Sequence, residues 1–247
     1  MARLDSARLA TIMVAVSFLG GVSPVLATGI IPTASAQSEA VKTALETLDN
    51  QEVELSPRDQ LRGVLGVLMA QIDDLKAGLL SIKGLNEAQL EKRGEHLDFL
   101  KDAAGFILAL QIDAESADVK FVAEELQEWR EEVFNPGVKN IVDFSLVFQV
   151  QTVLRIAEAR YMKIHSDVGR LEDLKILKNN RARSLLSESR LLLTSAANLR
   201  SQASELLLSG EEEDGQIRQL LNGSITRIRL AYKKFLEISQ LVKDSLK

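Results

Sequence analysis

Three long runs near the carboxyl end constrain this fold more than anything else in the chain. Val147, Val150, Leu154, Ala157, Tyr161, Ile164, Val168 and Leu171 advance in alternating steps of three and four. Leu185, Ser189, Leu192, Ala196, Leu199, Ala203 and Leu206 repeat the pattern, and Ile217, Leu221, Ser224, Ile228, Ala231, Phe235, Ile238, Val242 and Ser245 repeat it again. Such steps keep one stripe on one side of a helix. At ~1.5 Å per residue the helices reach on the order of 40–50 Å. Second apolar positions widen each stripe: Leu186, Leu193 and Leu207 in the middle run, Leu220, Ile225 and Leu241 in the last. A wide stripe needs neighbours on two sides, so the spacing predicts an all-α, antiparallel multi-helix bundle. Ala and Ser occupy many seam positions, which permits close approach and leaves small-residue stripes that could continue into a partner helix.

Local punctuation divides the rest of the chain. Ser56-Pro57-Arg58-Asp59 combines an N-cap, a proline at the first helical position and an acid in the first turn. Gly84 is expected to close that helix. Asn86 with Gln89 three residues on resembles a capping box, and its helix is expected to run to about Ile112. Asp113 to Asp118 reads as a polar link and a soft boundary, followed by a helix reaching Phe134. Asn135-Pro136 repeats the cap-then-proline pattern and predicts a new helix start. Asn179-Asn180 is a candidate break after Leu177, and Gly210 with Glu211 to Asp214 marks the turn before the last helix. Gly63 and Gly66, inside an apolar helical run, are expected to permit close packing.

Residues 1–36 have the order of a secretory signal peptide. Arg3 and Arg8 precede an apolar run from Leu9 to Leu19, then Gly20, Gly21 and Pro24, then small residues ending at Ala36. Cleavage fits after Ala27 or after Ala36. The second is preferred, because Gln37-Ser38-Glu39 opens a polar, helix-compatible segment while Thr28 to Thr33 is still apolar. The alternative, a leader retained as an anchor, suits less well a stretch interrupted by Gly20, Gly21, Pro24 and Pro32, since a span needs roughly 20 apolar residues. The expectation is export to periplasm, cell surface or medium, with residues 37–247 a helical bundle, one domain in preference to two, and no membrane span after cleavage.

Losing the leader removes two bases and one acid from a net charge of −5, leaving −6. An acidic surface argues against nucleic-acid partners, whose phosphates demand a basic face. Cysteine is absent, so neither disulfides nor thiolate metal sites can form. The two histidines, His96 and His165, lack a Glu three residues before them, which removes the diiron pattern of bundle enzymes. Each reads as a surface or boundary residue. Asp113 to Asp118 lacks the glycine and terminal Glu of a calcium loop, and the Glu211 to Asp214 run reads as a solvated acidic turn. No Gly-x-Ser-x-Gly elbow or phosphate-binding glycine loop occurs. The glycosylation pattern Asn222-Gly-Ser224 falls inside a predicted helix. Lys175, Lys178, Arg181, Arg183 and Arg190 are interleaved with leucines and read as a solvated face. No catalytic, cofactor or metal residue is expected.

The stretch from Trp129 to Gln149 holds the only tryptophan and, with Phe121, four of the eight phenylalanines. Trp129, Phe134, Phe144 and Phe148 make either an aromatic pocket or, as the preferred reading, central core with Trp129 on the turn at Pro136. Trp129-Arg130, Asn135-Pro136, Phe144 to Gln149 and Ala157-Glu-Ala-Arg160 resemble segments of uncharacterised secreted helical proteins of candidate-phylum bacteria, over residues 85–175. That resemblance implies an exported all-helical protein and brings no assigned activity. The leading functional expectation is a non-catalytic envelope or cell-surface protein, structural or interacting, with a protein partner or self-association. An extracytoplasmic ligand-binding or sensory bundle comes second, and a hydrolase using scattered carboxylates third.

Overall fold

Helix starts follow from local chemistry. A computed structural model describes residues 56–246 except 117–118, 178–179 and 211–214, and the side chains of 113–116. The leader expected over residues 1–36 and the acidic run Glu211 to Asp214 lie outside the described residues. Helix α1 spans Pro57–Ser81: Ser56 Oγ accepts the Asp59 N–H at 3.2 Å and donates to the Asp59 carboxylate at 2.6 Å. The helix stops at Ser81, and Gly84 takes φ +73 in the link that follows, three residues past the end it was expected to cap. Helix α2, Glu87–Ser116, opens on a reciprocal box: Asn86 Oδ1 accepts the Gln89 N–H at 2.9 Å, and Gln89 Oε1 accepts the Asn86 N–H at 3.0 Å. Both orphan donors are thereby satisfied.

Helix α2 continues to Ser116, through most of the link expected at 113–118. Helix α3 covers Val119–Trp129, a π-helical turn covers Arg130–Phe134, and helix α4 runs from Asn135–Asp173. The expected start at Asn135-Pro136 is therefore corrected. Asn135 is helical (φ −61, ψ −44), and its N–H reaches back to the Arg130 carbonyl. Proline has no N–H, and its ring crowds the carbonyl four residues back. The chain widens by one residue per turn ahead of Pro136 and stays helical, as proteins do around a disrupted ladder. Asn135 is a passenger in that turn and caps nothing.

The described chain divides into two compact units between Leu146 and Val147, inside α4. In the amino-terminal unit α2 runs antiparallel to α3 and the start of α4. Phe106 meets Trp129, Phe99 meets Phe134, and His96 meets Phe144, so one chain descends as the other rises. Leu65, Leu68, Leu79, Leu100, Ile107 and Leu110 form the buried interior with Val122, Phe134, Ile141 and Phe144. The close approach lies at Gly137, where a Cβ would fall inside the Phe99 ring. Gly63 and Gly66, expected to serve that purpose, have nothing within 4 Å and sit on the exposed side of α1.

The carboxyl-terminal unit packs the second part of α4, helix α5 (Arg181–Ser209) and helix α6 (Gln216–Ser245). Helix α4 ends in a left-handed turn: Lys175 takes φ +57, its N–H reaches the Glu172 carbonyl at 2.8 Å, and the Ile176 N–H reaches Leu171 at 2.9 Å. These two bonds satisfy the last carbonyls of the helix. The chain thus breaks just before Asn179-Asn180. Gly210 at φ +72 ends α5 as expected. Lys234 pairs with Glu188 at 3.0 Å and the Ser224 hydroxyl donates to the Ala196 carbonyl at 2.9 Å, so α5 and α6 are antiparallel. Arg183 pairs with Glu172 at 2.8 Å and Arg200 with Gln151, so α4 and α5 are antiparallel too.

The stripes form this core. Leu154, Ala157, Ile164, Leu185, Ala196, Ile228, Phe235 and Ile238 belong to one buried cluster. Leu192, Leu199 and Leu206, on the middle stripe, are only partly buried, whereas the second positions Leu186, Leu193 and Leu207 are buried. Ser245 is exposed at the end of the last stripe. Ala157, Ala196, Ala203 and Ala231 are fully buried, and Gly223 would bring a Cβ within 3.2 Å of Leu199. The small residues let helices of this unit approach one another, so the Ala/Ser seams are occupied within the unit.

Candidate binding surfaces

The aromatic stretch is a stack of rings. Trp129 lies between Phe106 at 4.5 Å and Phe134 at 5.1 Å, and Phe134 continues to Phe99 at 6.5 Å. Parallel offset contacts of this kind add about 0.5–1.5 kcal/mol per pair beyond burial. Phe134 and Phe144 are buried and Trp129 is half-buried. Phe148 is also buried, one turn beyond Phe144 on α4. Phe121 is 64% exposed and stands apart from the stack.

His96 departs from its expected place at a surface or boundary. It is only 7% exposed, edge-on to Phe144 at 5.2 Å, and no partner meets its Nε2. Burial pushes its imidazole down to about 4, with the nearby Lys92 ammonium adding to the effect. A neutral ring in an apolar place is the outcome desolvation favours. His165 is exposed beside Tyr161.

A cleft of about 1230 Å³ opens in the amino-terminal unit between the first turns of α1 and the α3–π segment. Its floor is Leu61, Val64, Val119, Ala123 and Leu126, and its polar lining includes Arg58, Lys120, Arg130 and Glu131. Lys120 is paired with Glu124 at 3.8 Å, so Arg58 and Arg130 beside Glu131 leave the groove a small positive excess on a chain whose net charge is −5. The Ser56 cap fixes where α1 begins, and hence where Arg58 and Leu61 point. The π turn sets the other wall, since its extra residue per turn places Arg130 and Glu131 on the groove while Phe134 turns inward. Wide helical turns recur at functional sites for this reason. None of the four aromatic residues singled out from sequence lines it. Sequence reasoning missed the groove residues, and the overlooked signal was Pro136 inside an otherwise continuous helical pattern.

A second cleft, about 350 Å³, lies between α4 and α5 beside Tyr161, His165, Glu172, Arg183 and Arg190. Glu172 accepts two bonds from Arg183 Nε at 2.9 and 3.0 Å, so the charges here answer one another. Arg183 is held above its ordinary value by that hydrogen bond and the carboxylate charge. Lys175, Arg181 and Arg190 of the expected basic face are exposed, and Lys178 lies outside the described residues. The sequon at Asn222 is inside α6, with the Ser224 hydroxyl committed to Ala196.

Among the described residues no three or more His, Asp or Glu side chains gather closely enough to hold a metal ion. No described helix is long and apolar enough to cross a membrane. Compared with protein-family models, curated proteins and solved structures, the chain finds no match.

Proposed function

We propose that this protein is an exported, non-catalytic helical-bundle protein of the cell envelope or cell surface that works by receiving a partner helix. The observation that carries the reading is the groove between α1 and α3: apolar along its floor, basic along its rim. An amphipathic helix binds such a surface by laying its apolar face into the groove, with flanking charges setting partner and orientation. The Ala/Ser seams, which also pointed to association, are filled inside the carboxyl-terminal unit and lend no support. The sensory alternative draws less support, because Trp129, Phe134, Phe144 and Phe148 line neither of the two clefts described.

The test uses the full chain immobilised against envelope extract, beside an Ala123→Arg variant. Ala123 is exposed on the groove floor, so the substitution blocks the groove without entering the core. A defined set of proteins retained by the native chain and lost with Ala123→Arg supports the reading. Equal retention by both, or none by either, contradicts it.

A further inference from the structure

The chain segment that leads into the groove has the chemistry the groove asks for. Residues 37–55 carry Glu39, Glu46, Asp49, Glu52 and Glu54 against a single base, Lys42. Val41, Leu45 and Leu48 fall in steps of four and three, one apolar face if that stretch is helical. The segment ends at Ser56, which itself lines the groove, in extended backbone (φ −59, ψ 149). From Leu48 to Ser56 an extended chain reaches at most roughly 25–30 Å, long enough to fold back over Leu61 and Val64. A short tether of this kind holds its segment at roughly millimolar effective concentration.

The charge match is local and specific. Arg58 and Arg130, with Lys120 paired to Glu124 and Glu131 beside them, give the rim a small positive excess on a chain that is acidic overall, and the segment is acidic beyond that average. Complementary potentials of this kind fix which segment binds and in which register. The geometry points to the chain's own residues 37–55 as the resting occupant of the α1–α3 groove, held by Leu45 and Leu48 on the floor and by acids on the rim. This builds on the partner-helix reading and adds its regulation: an incoming helix must displace the segment first.

The experiment places a photo-crosslinking benzoylphenylalanine at Leu45 in the full chain. Crosslinked peptides are mapped by mass spectrometry, and single-chain products are separated from double-chain ones. The expected result is single-chain crosslinks to peptides containing residues 57–64 or 119–135. In Arg58→Glu/Arg130→Glu their yield should fall about fivefold or more, as loss of complementary charge weakens docking. Arg130→Lys, which keeps the charge, should retain them, and the reversed variant must show the native helical circular dichroism and thermal midpoint, so that a folding defect cannot imitate the result. Crosslinks to other parts of the same chain, or none, overturn the inference. Double-chain products overturn it in favour of a second copy as occupant. Either failure leaves the extract experiment with Ala123→Arg free to succeed, so the two ideas fall separately.

Discussion

At the scale of single residues, His96 and Gly137 make the sharpest predictions. The buried imidazole has a native value of about 4 against an ordinary 6.5. The unfolded chain therefore takes up a proton between those values that the folded chain refuses. Stability is full above pH 6.5 and declines as pH falls toward 4, by on the order of 2 kcal/mol once residual solvent screening is allowed for. Urea denaturation at pH 4, 5 and 7 should show that decline, and His96→Leu should flatten it. Gly137→Ala drives a methyl into the Phe99 ring and should cost roughly 1–3 kcal/mol. Adding Phe99→Leu should recover part of that loss, because the two sites share one contact. Neither residue was legible from sequence. His96 sits in a stretch of mixed polarity, and Gly137 follows a proline that argued for a helix start.

At the scale of elements, the caps at Ser56 and Asn86 and the three stripes were legible because their chemistry is local, whereas Asn135 was misread as a cap. Ser56 and the Asn86–Gln89 box need only their own neighbours to form. Asn86→Ala removes one half of a box and should cost about 1 kcal/mol, read from the thermal midpoint. Lys175 holds a left-handed turn that glycine adopts at no steric cost. Lys175→Gly should therefore stabilise the protein by about 0.5–1 kcal/mol, and an unchanged or lowered midpoint would contradict the reading of that turn. The π turn is the opposite case. A proline can end a helix or be absorbed by a wide turn, and the choice here belongs to packing: stacking Trp129 and Phe134 on Phe106 and Phe99 keeps the chain helical past it. The groove depends on that turn, so it was hidden for the same reason.

At the scale of the whole molecule, the all-helical architecture follows from spacing alone, and the carboxyl-terminal unit is built along the three stripes. What spacing left open was their destination. A small-residue seam fits a partner from outside as well as a neighbour within, and only Ala196, Ala203, Ser224 and Ala231 in place show that the unit consumes its own. The partner-helix proposal therefore rests on the apolar-floored groove of the other unit. The measurement that tests this most directly is the native mass of the protein recovered from its own host, beside Ala123→Arg. A bound polypeptide of defined mass that is lost on denaturation and missing from Ala123→Arg is the predicted result. A bare chain in both preparations, or an added mass that Ala123→Arg retains, would contradict it.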